Sequence, residues 1–177
     1  MEIVVSDEKV PLDGPNLIAQ AVQALQTYIG LSRSYQIKVD KQIPLGAGLG
    51  GGSSDAAMTF RMLNKIDELG LDEKDLIDIS RDLGADIPLF IKGETGIGRG
   101  IGQDIDSLDI QPPMWIVTIY PGFESSTAEA YQRCQPEPER DFTVERILRE
   151  IPVDEWQFML DNDLEPPVIQ ENQMIGN

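Results

Sequence analysis

Histidine is absent from the 177 residues. Its absence removes Ser-His-Asp and Cys-His nucleophile systems, imidazole general bases and histidine-ligated zinc. Cysteine occurs once, as Cys134, so no internal disulfide can form and nothing points to an oxidising compartment. Basic residues are scarce: 14 Lys and Arg stand against 31 Asp and Glu, a net charge of −17. Such a field repels a nucleic-acid backbone or an anionic membrane, so neither is expected as a partner. No apolar run approaches the ~20 residues of a membrane span. Met1 to Asp7 has neither a basic start nor an apolar core. The expectation is a cytoplasmic chain without a secretory signal. With 41% apolar and 25% charged residues, the chain has the composition of a folded domain. Any chemistry must come from carboxylates, hydroxyls, amines or backbone dipoles.

The pattern of what remains reads as α+β. Ile3 to Val5 predicts a short strand. Asp13-Gly14-Pro15 predicts a turn, and Asn16 an N-cap for a helix over 17–29, with Ile18, Val22, Leu25 and Ile29 on one face and Gly30 at its end. Tyr35, Ile37 and Val39 alternate with polar residues, which predicts a strand with one wet face and therefore an antiparallel sheet. Ser53-Ser54-Asp55 opens a second helix, closed by Gly70. Asp72 caps a third, closed by Gly84. Ile87–Ile91 and Trp115–Tyr120 read as strands, and 93–102, with five glycines, as a turn between strands. Pro121-Gly122 turns the chain, and Ser126 or Thr127 caps a short helix through Tyr131. Pro136 to Glu139 reads as a loop. Helices are expected over 143–150 and 154–160, and little order beyond Pro166-Pro167. Trp115 and Trp156 read as core, and Cys134 as incidental.

The most informative segment is Pro44-Leu45-Gly46-Ala47-Gly48-Leu49-Gly50-Gly51-Gly52-Ser53-Ser54, with five glycines in eleven residues, running straight into a helix. Glycines permit positive φ, so successive N–H groups can converge, and the helix start adds unpaired N–H groups and a positive dipole end. Together they form an anion cradle that needs no net positive charge. A turn and helix cap without ligand is the plain alternative, although five glycines cost more backbone entropy than a turn requires. Gly46, Gly48 and Gly51 also match the spacing G-x-G-x-x-G. The half-polar strand before them is unlike the buried central strand of a dinucleotide-binding fold. A Walker A loop fails because no Gly-Lys-Ser/Thr follows. Ser53 and Ser54 are candidates for helix capping, phosphate binding or a metal ligand, with capping favoured. Asp55 reads as a first-turn acid. Asp86, between Gly84 and Pro88, reads either as a turn aspartate or as a carboxylate at a strand mouth.

Residues 44–57, ending Ser-Ser-Asp-Ala-Ala, resemble the phosphate-binding motif of the GHMP small-molecule kinases. Residues 13–17, Gly84 to Phe90, 93–102, Pro121 with Ser126-Thr127-Ala128 and Tyr131, and Asn162-Asp163-Leu164-Glu165 are similar to further family segments, in family order. The triple glycine resembles the branch that phosphorylates the 2-hydroxyl of 4-diphosphocytidyl-2-C-methyl-D-erythritol in non-mevalonate isoprenoid precursor synthesis. The resemblance implies a GHMP-kinase-like α+β fold with an antiparallel or mixed sheet and helices on one side. It implies an ATP-binding domain over 1–110 and the beginning of a substrate domain over 111–177. ATP would be the co-substrate, with Mg²⁺ and unassigned metal ligands. Pro44 to Ser54 would bind it, and Asp86 would be the catalytic aspartate. Another GHMP kinase and a non-catalytic nucleotide-binding module stand as alternatives. The family's Pro-Ala-Lys-Ile-Asn-Leu motif, its Gly-Tyr-His segment and its C-terminal glycine-serine motif find no match. The expectation is therefore an internal piece, weak or inactive as a kinase alone. Lys38, Lys41 and Lys92 are possible electrostatic substitutes for the family's lysine, without motif support.

Overall fold

The computed structural model describes residues 2–5, 16–110, 114–123, 125–135 and 143–176. The chain divides into two compact units, Met1–Ser107 and Leu108–Asn177. The expected turn at Asp13-Gly14-Pro15 and the loop at Pro136 to Glu139 lie outside the described residues.

In the first unit, β1 (Glu2–Val5), α1 (Leu17–Ile29) and β2 (Gln36–Val39) follow in order. Asn16 caps α1 by accepting from the N–H groups of Ile18 and Ala19, at 2.9 and 3.4 Å. Gly30 ends the helix in the left-handed conformation, φ +67°. The strands pair in parallel, Glu2 opposite Gln36 through Val5 opposite Val39. This corrects the antiparallel expectation. Alternation in Tyr35–Val39 reports that one face is covered, and it carries no information about direction. Here α1 is the crossover that returns the chain for a parallel partner.

The glycine segment leads into α2 (Gly51–Ile66), which begins inside the glycines rather than at Ser53. It ends at Asp67, before Gly70. The Asn64 side chain closes the exit by bonding both the N–H and the C=O of Leu71, at 3.1 and 2.9 Å. The next residue, Asp72, forms a capping box with Asp75 and starts α3 (Glu73–Ser80).

Ile87–Ile91 is not a strand but most of α4 (Ile87–Lys92), opened by Asp86 and closed by left-handed Gly93. An apolar run this short suits strand or helix equally. The decision lies in the surroundings: Pro88 is tolerated in a first helical turn, and Ile87 and Ile91 share one face four residues apart. Both are fully buried. They join Ala21, Val22 and Leu25 of α1, Ala56, Ala57, Phe60 and Leu63 of α2, and Leu76 of α3 in one core. The alanines let the helices approach, and Phe60 fills the space between them, worth ~2–3 kcal/mol of burial. The glycine-rich stretch 93–102 forms more than a turn. Gly96–Arg99 is β3, antiparallel to β4 (Asp104–Ser107), with the turn at 100–103. Lys92 ties α4 to this hairpin by donating to the Ile105 carbonyl at 2.8 Å.

The second unit holds α5 (Thr127–Arg133), α6 (Val144–Glu150), a 3₁₀ helix (Val153–Phe158) and α7 (Glu165–Glu171). Ser126 and Thr143 cap α5 and α6. The expected helix over 154–160 is the 3₁₀ segment, which buries Trp156 and directs its indole N–H to the Ile151 carbonyl at 2.9 Å. Pro166-Pro167, read as the onset of disorder, instead occupy the first turn of α7, where the missing N–H groups would be unpaired anyway. Trp115–Tyr120 is not a strand, and Trp115 is fully exposed rather than core. A strand needs a ladder partner, and none pairs with this segment among the described residues.

Candidate active site

The chain leaves β2 at Val39 and reaches Pro44, which restricts the backbone ahead of the glycines. Gly46, Gly48 and Gly50 then take φ of +61°, +71° and +65°, while Ala47 and Leu49 between them do not have positive φ. Alternation of left-handed and ordinary backbone is the pattern of a main-chain nest, in which successive N–H groups turn toward one side. Among the described residues, no N–H from Gly46 to Gly50 donates to another backbone group; the first bond across the segment is Ser54 N–H to the Gly50 carbonyl, 2.9 Å. That bond is the opening turn of α2. Its N-cap is Gly50, which has no side chain to bond the first-turn N–H groups.

Ser53 and Ser54 therefore do not cap the helix. They lie inside its first turn, and the Ser54 hydroxyl donates back to the Gly51 carbonyl at 2.9 Å. The capping expectation failed because glycine at the cap lets α2 begin two residues early.

Asp86 stands at a helix start, not at a strand mouth. Its side chain is exposed and makes no capping bond to α4, which leaves the carboxylate available to another partner. One turn further along α4, the Phe90 ring meets the glycine segment: a Cβ built on Gly50 would lie 2.7 Å from ring carbons. The packing of α2 against α4 thus brings the end of the nest to the helix that Asp86 opens.

Lys41 and Asp55 flank the glycine segment in sequence and meet at the start of α2. The Lys41 ammonium, its side chain 5% exposed, pairs with Asp55 Oδ2 at 2.5 Å. Lys41 Nζ also lies 3.0 Å from where a Gly51 Cβ would be, at the first turn of α2. The available signal was their placement, a lysine just before and an aspartate just after the glycines. Of the other two lysines considered, Lys38 is exposed on β2, and Lys92 is committed to the hairpin. Among the described residues no group of three acidic or cysteine side chains could hold a metal ion, and no helix is long and apolar enough to cross a membrane. Cys134 is half-buried, its thiol against the Asp163 carbonyl at 3.4 Å.

Comparison with known proteins adds a second line. Residues 16–94 match the family described as "GHMP kinases N terminal domain". A 4-diphosphocytidyl-2-C-methyl-D-erythritol kinase of Syntrophotalea carbinolica is 40% identical over 168 residues, covering 94% of this chain and 59% of the relative. One from Geobacter sulfurreducens is 40% identical over 182 residues, covering 99% and 63%. A crystal structure of 4-(cytidine 5'-diphospho)-2C-methyl-D-erythritol kinase superposes with a TM-score of 0.71 at 28% identity, over 97% of this chain and 62% of that one. The chain thus spans about three-fifths of the length of the relatives it matches. The parallel β1–α1–β2 unit is shared with dinucleotide-binding folds. Here, however, α2 leads to α3 and α4 and then to an antiparallel hairpin, with no third parallel strand among the described residues.

Proposed function

The chain belongs to the GHMP kinase family, and from that premise we propose that it transfers the γ-phosphoryl group of ATP to a small alcohol. The acceptor is the 2-hydroxyl of 4-diphosphocytidyl-2-C-methyl-D-erythritol, the compound in the relatives' name, and the product is its 2-phosphate, an isoprenoid precursor. On the same reading, 1–110 is the ATP-binding domain and 111–177 the beginning of the substrate domain.

One observation carries the proposal: left-handed Gly46, Gly48 and Gly50 alternate into a helix without a capping side chain. Such a run of main-chain donors suits a triphosphate and offsets the chain's −17 locally. Pro44 to Ser54 is the binding segment. Asp86 orients the acceptor hydroxyl and takes its proton as that oxygen bonds the γ-phosphorus and the β–γ bridging oxygen departs with ADP. Phosphoryl transfer depends chiefly on positioning and charge stabilisation, which a main-chain nest and one carboxylate can supply. Mg²⁺ bound to ATP neutralises phosphate charge. It would be held mainly by phosphate oxygens and water, with the exposed Asp86 carboxylate as the protein group able to join them.

The test combines the chain, ATP and the diphosphocytidyl alcohol, and follows ADP release together with the phosphorus NMR signal of a new phosphomonoester. The expected signal is small beside that of a full-length relative, needs both substrates and is lost in Asp86→Ala. ATP binding with no phosphomonoester from the wild-type chain would leave a nucleotide-binding module. Absence of ATP binding would remove the reading altogether.

A further inference from the structure

A cation at the first turn of α2 is out of place by ordinary helix electrostatics. The dipole there is positive, and burying an ammonium is costly unless it is paired. Lys41 is nevertheless buried at that point and held by Asp55 at 2.5 Å. Helix stability does not account for it. The pair's position relative to the loop does. Lys41 and Asp55 stand fourteen residues apart and bracket the whole glycine segment. Ile43 joins the same contact, its side chain 2.9 Å from a Cβ built on Gly51. The exit of β2 therefore lies directly on the start of α2, and only glycine at 51 leaves room for it.

A loop with five glycines has much conformational freedom to lose, and a nest binds well only if its N–H groups already converge. We propose that the Lys41–Asp55 ion pair is a positioning strut: it joins the two ends of the glycine segment and presets the main-chain nest before nucleotide arrives. Lys41 and Asp55 act through the loop, not on the phosphates. The inference rests on the kinase reading for its ligand, but the strut itself can be measured without one.

Asp55→Asn separates this role from direct attraction. If Lys41 acted on phosphate, removing the carboxylate would release its charge toward the ligand and tighten binding. If the pair is a strut, the same change loosens the loop and weakens binding. We expect Asp55→Asn and Lys41→Met each to weaken binding of ATP and of inorganic tripolyphosphate about tenfold, with the double variant no worse than either single one. Lys41→Arg should recover most of the loss. NMR order parameters over 46–50 should fall in Asp55→Asn while those of α1 stay unchanged, a readout independent of ligand. Tighter binding by Asp55→Asn, or loop order parameters equal to wild type in both Asp55→Asn and Lys41→Met, would overturn the strut. A wild-type chain that binds neither probe would instead overturn the kinase reading, and the order parameters would still decide the strut.

Discussion

Gly50 and Phe90 meet so closely that a single methyl group on the former would stand 2.7 Å from the ring of the latter. The contact joins the nest to the helix opened by Asp86, and the backbone there is left-handed at φ +65°. Gly50→Ala should therefore suffer twice, from the disfavoured backbone region and from displacing the ring, for a loss of ~2–4 kcal/mol. Gly48 is also left-handed, but a Cβ there meets nothing within 4 Å. Gly48→Ala should lose only the backbone part, ~1–2 kcal/mol. Urea unfolding of both variants checks the difference. Equal losses would mean that the Phe90 contact carries no energy.

Asp86 should be separable from stability. It is exposed and makes no side-chain bond to α4. Asp86→Asn is expected to lower turnover by ~10²-fold or more, the scale of a lost general base. The melting temperature should move little, and the affinity for ATP should stay within about threefold. Steady-state rates beside a direct ATP titration check this. Full turnover in the variant would move the chemistry elsewhere.

Acid should weaken the fold through Asp67. The Tyr35 hydroxyl donates to this carboxylate, and the Arg33 guanidinium sits 2.6 Å from it. The tyrosine bond, followed by the arginine, holds the Asp67 carboxyl below the usual aspartate range. A depressed carboxylate adds stability above its unfolded pKa and loses it as pH falls through the lower, folded value. Burial, and then the bond to Asp67, push the Tyr35 hydroxyl above the usual tyrosine range. That contribution is present below the unfolded tyrosine pKa and is lost as pH rises through the higher, folded value. Stability should thus be flat near neutrality and fall on both sides. Asp67→Asn should flatten the acid side. Denaturant midpoints from pH 2.5 to 7 check it; parallel curves for wild type and variant would refute the assignment.

Asn16 is expected to contribute ~1 kcal/mol through its two bonds to the start of α1. Asn16→Ala should lose that amount and Asn16→Asp much less, because an aspartate accepts the same bonds. Chemical denaturation of the pair checks it.

What the sequence disclosed was local. Asn16, Gly30, Asp72 and Ser126 bound helices where cap chemistry placed them. The glycine segment was legible for the same reason, since consecutive glycines have a backbone meaning that survives any tertiary setting. What depended on partners was not legible. The direction of β2 was set by β1, more than thirty residues away. Ile87–Ile91 became a helix because a helical face fitted the core of α1 and α2. Trp115–Tyr120 had the composition of a strand without a ladder partner among the described residues. Lys41 and Asp55 were visible as residues, but their pairing appears only once the chain has doubled back across the glycines.

The nest at Gly46, Gly48 and Gly50 consists of peptide groups, and peptide groups cannot be deleted by changing side chains. Conventional alanine scanning of the neighbouring non-glycine positions would pass over it, since every replacement brings its own amide. Proton concentration leaves such a receptor unaltered across the physiological range. Its vulnerability lies in torsion angles, so proline or a branched residue would silence it without removing a single donor beyond its own.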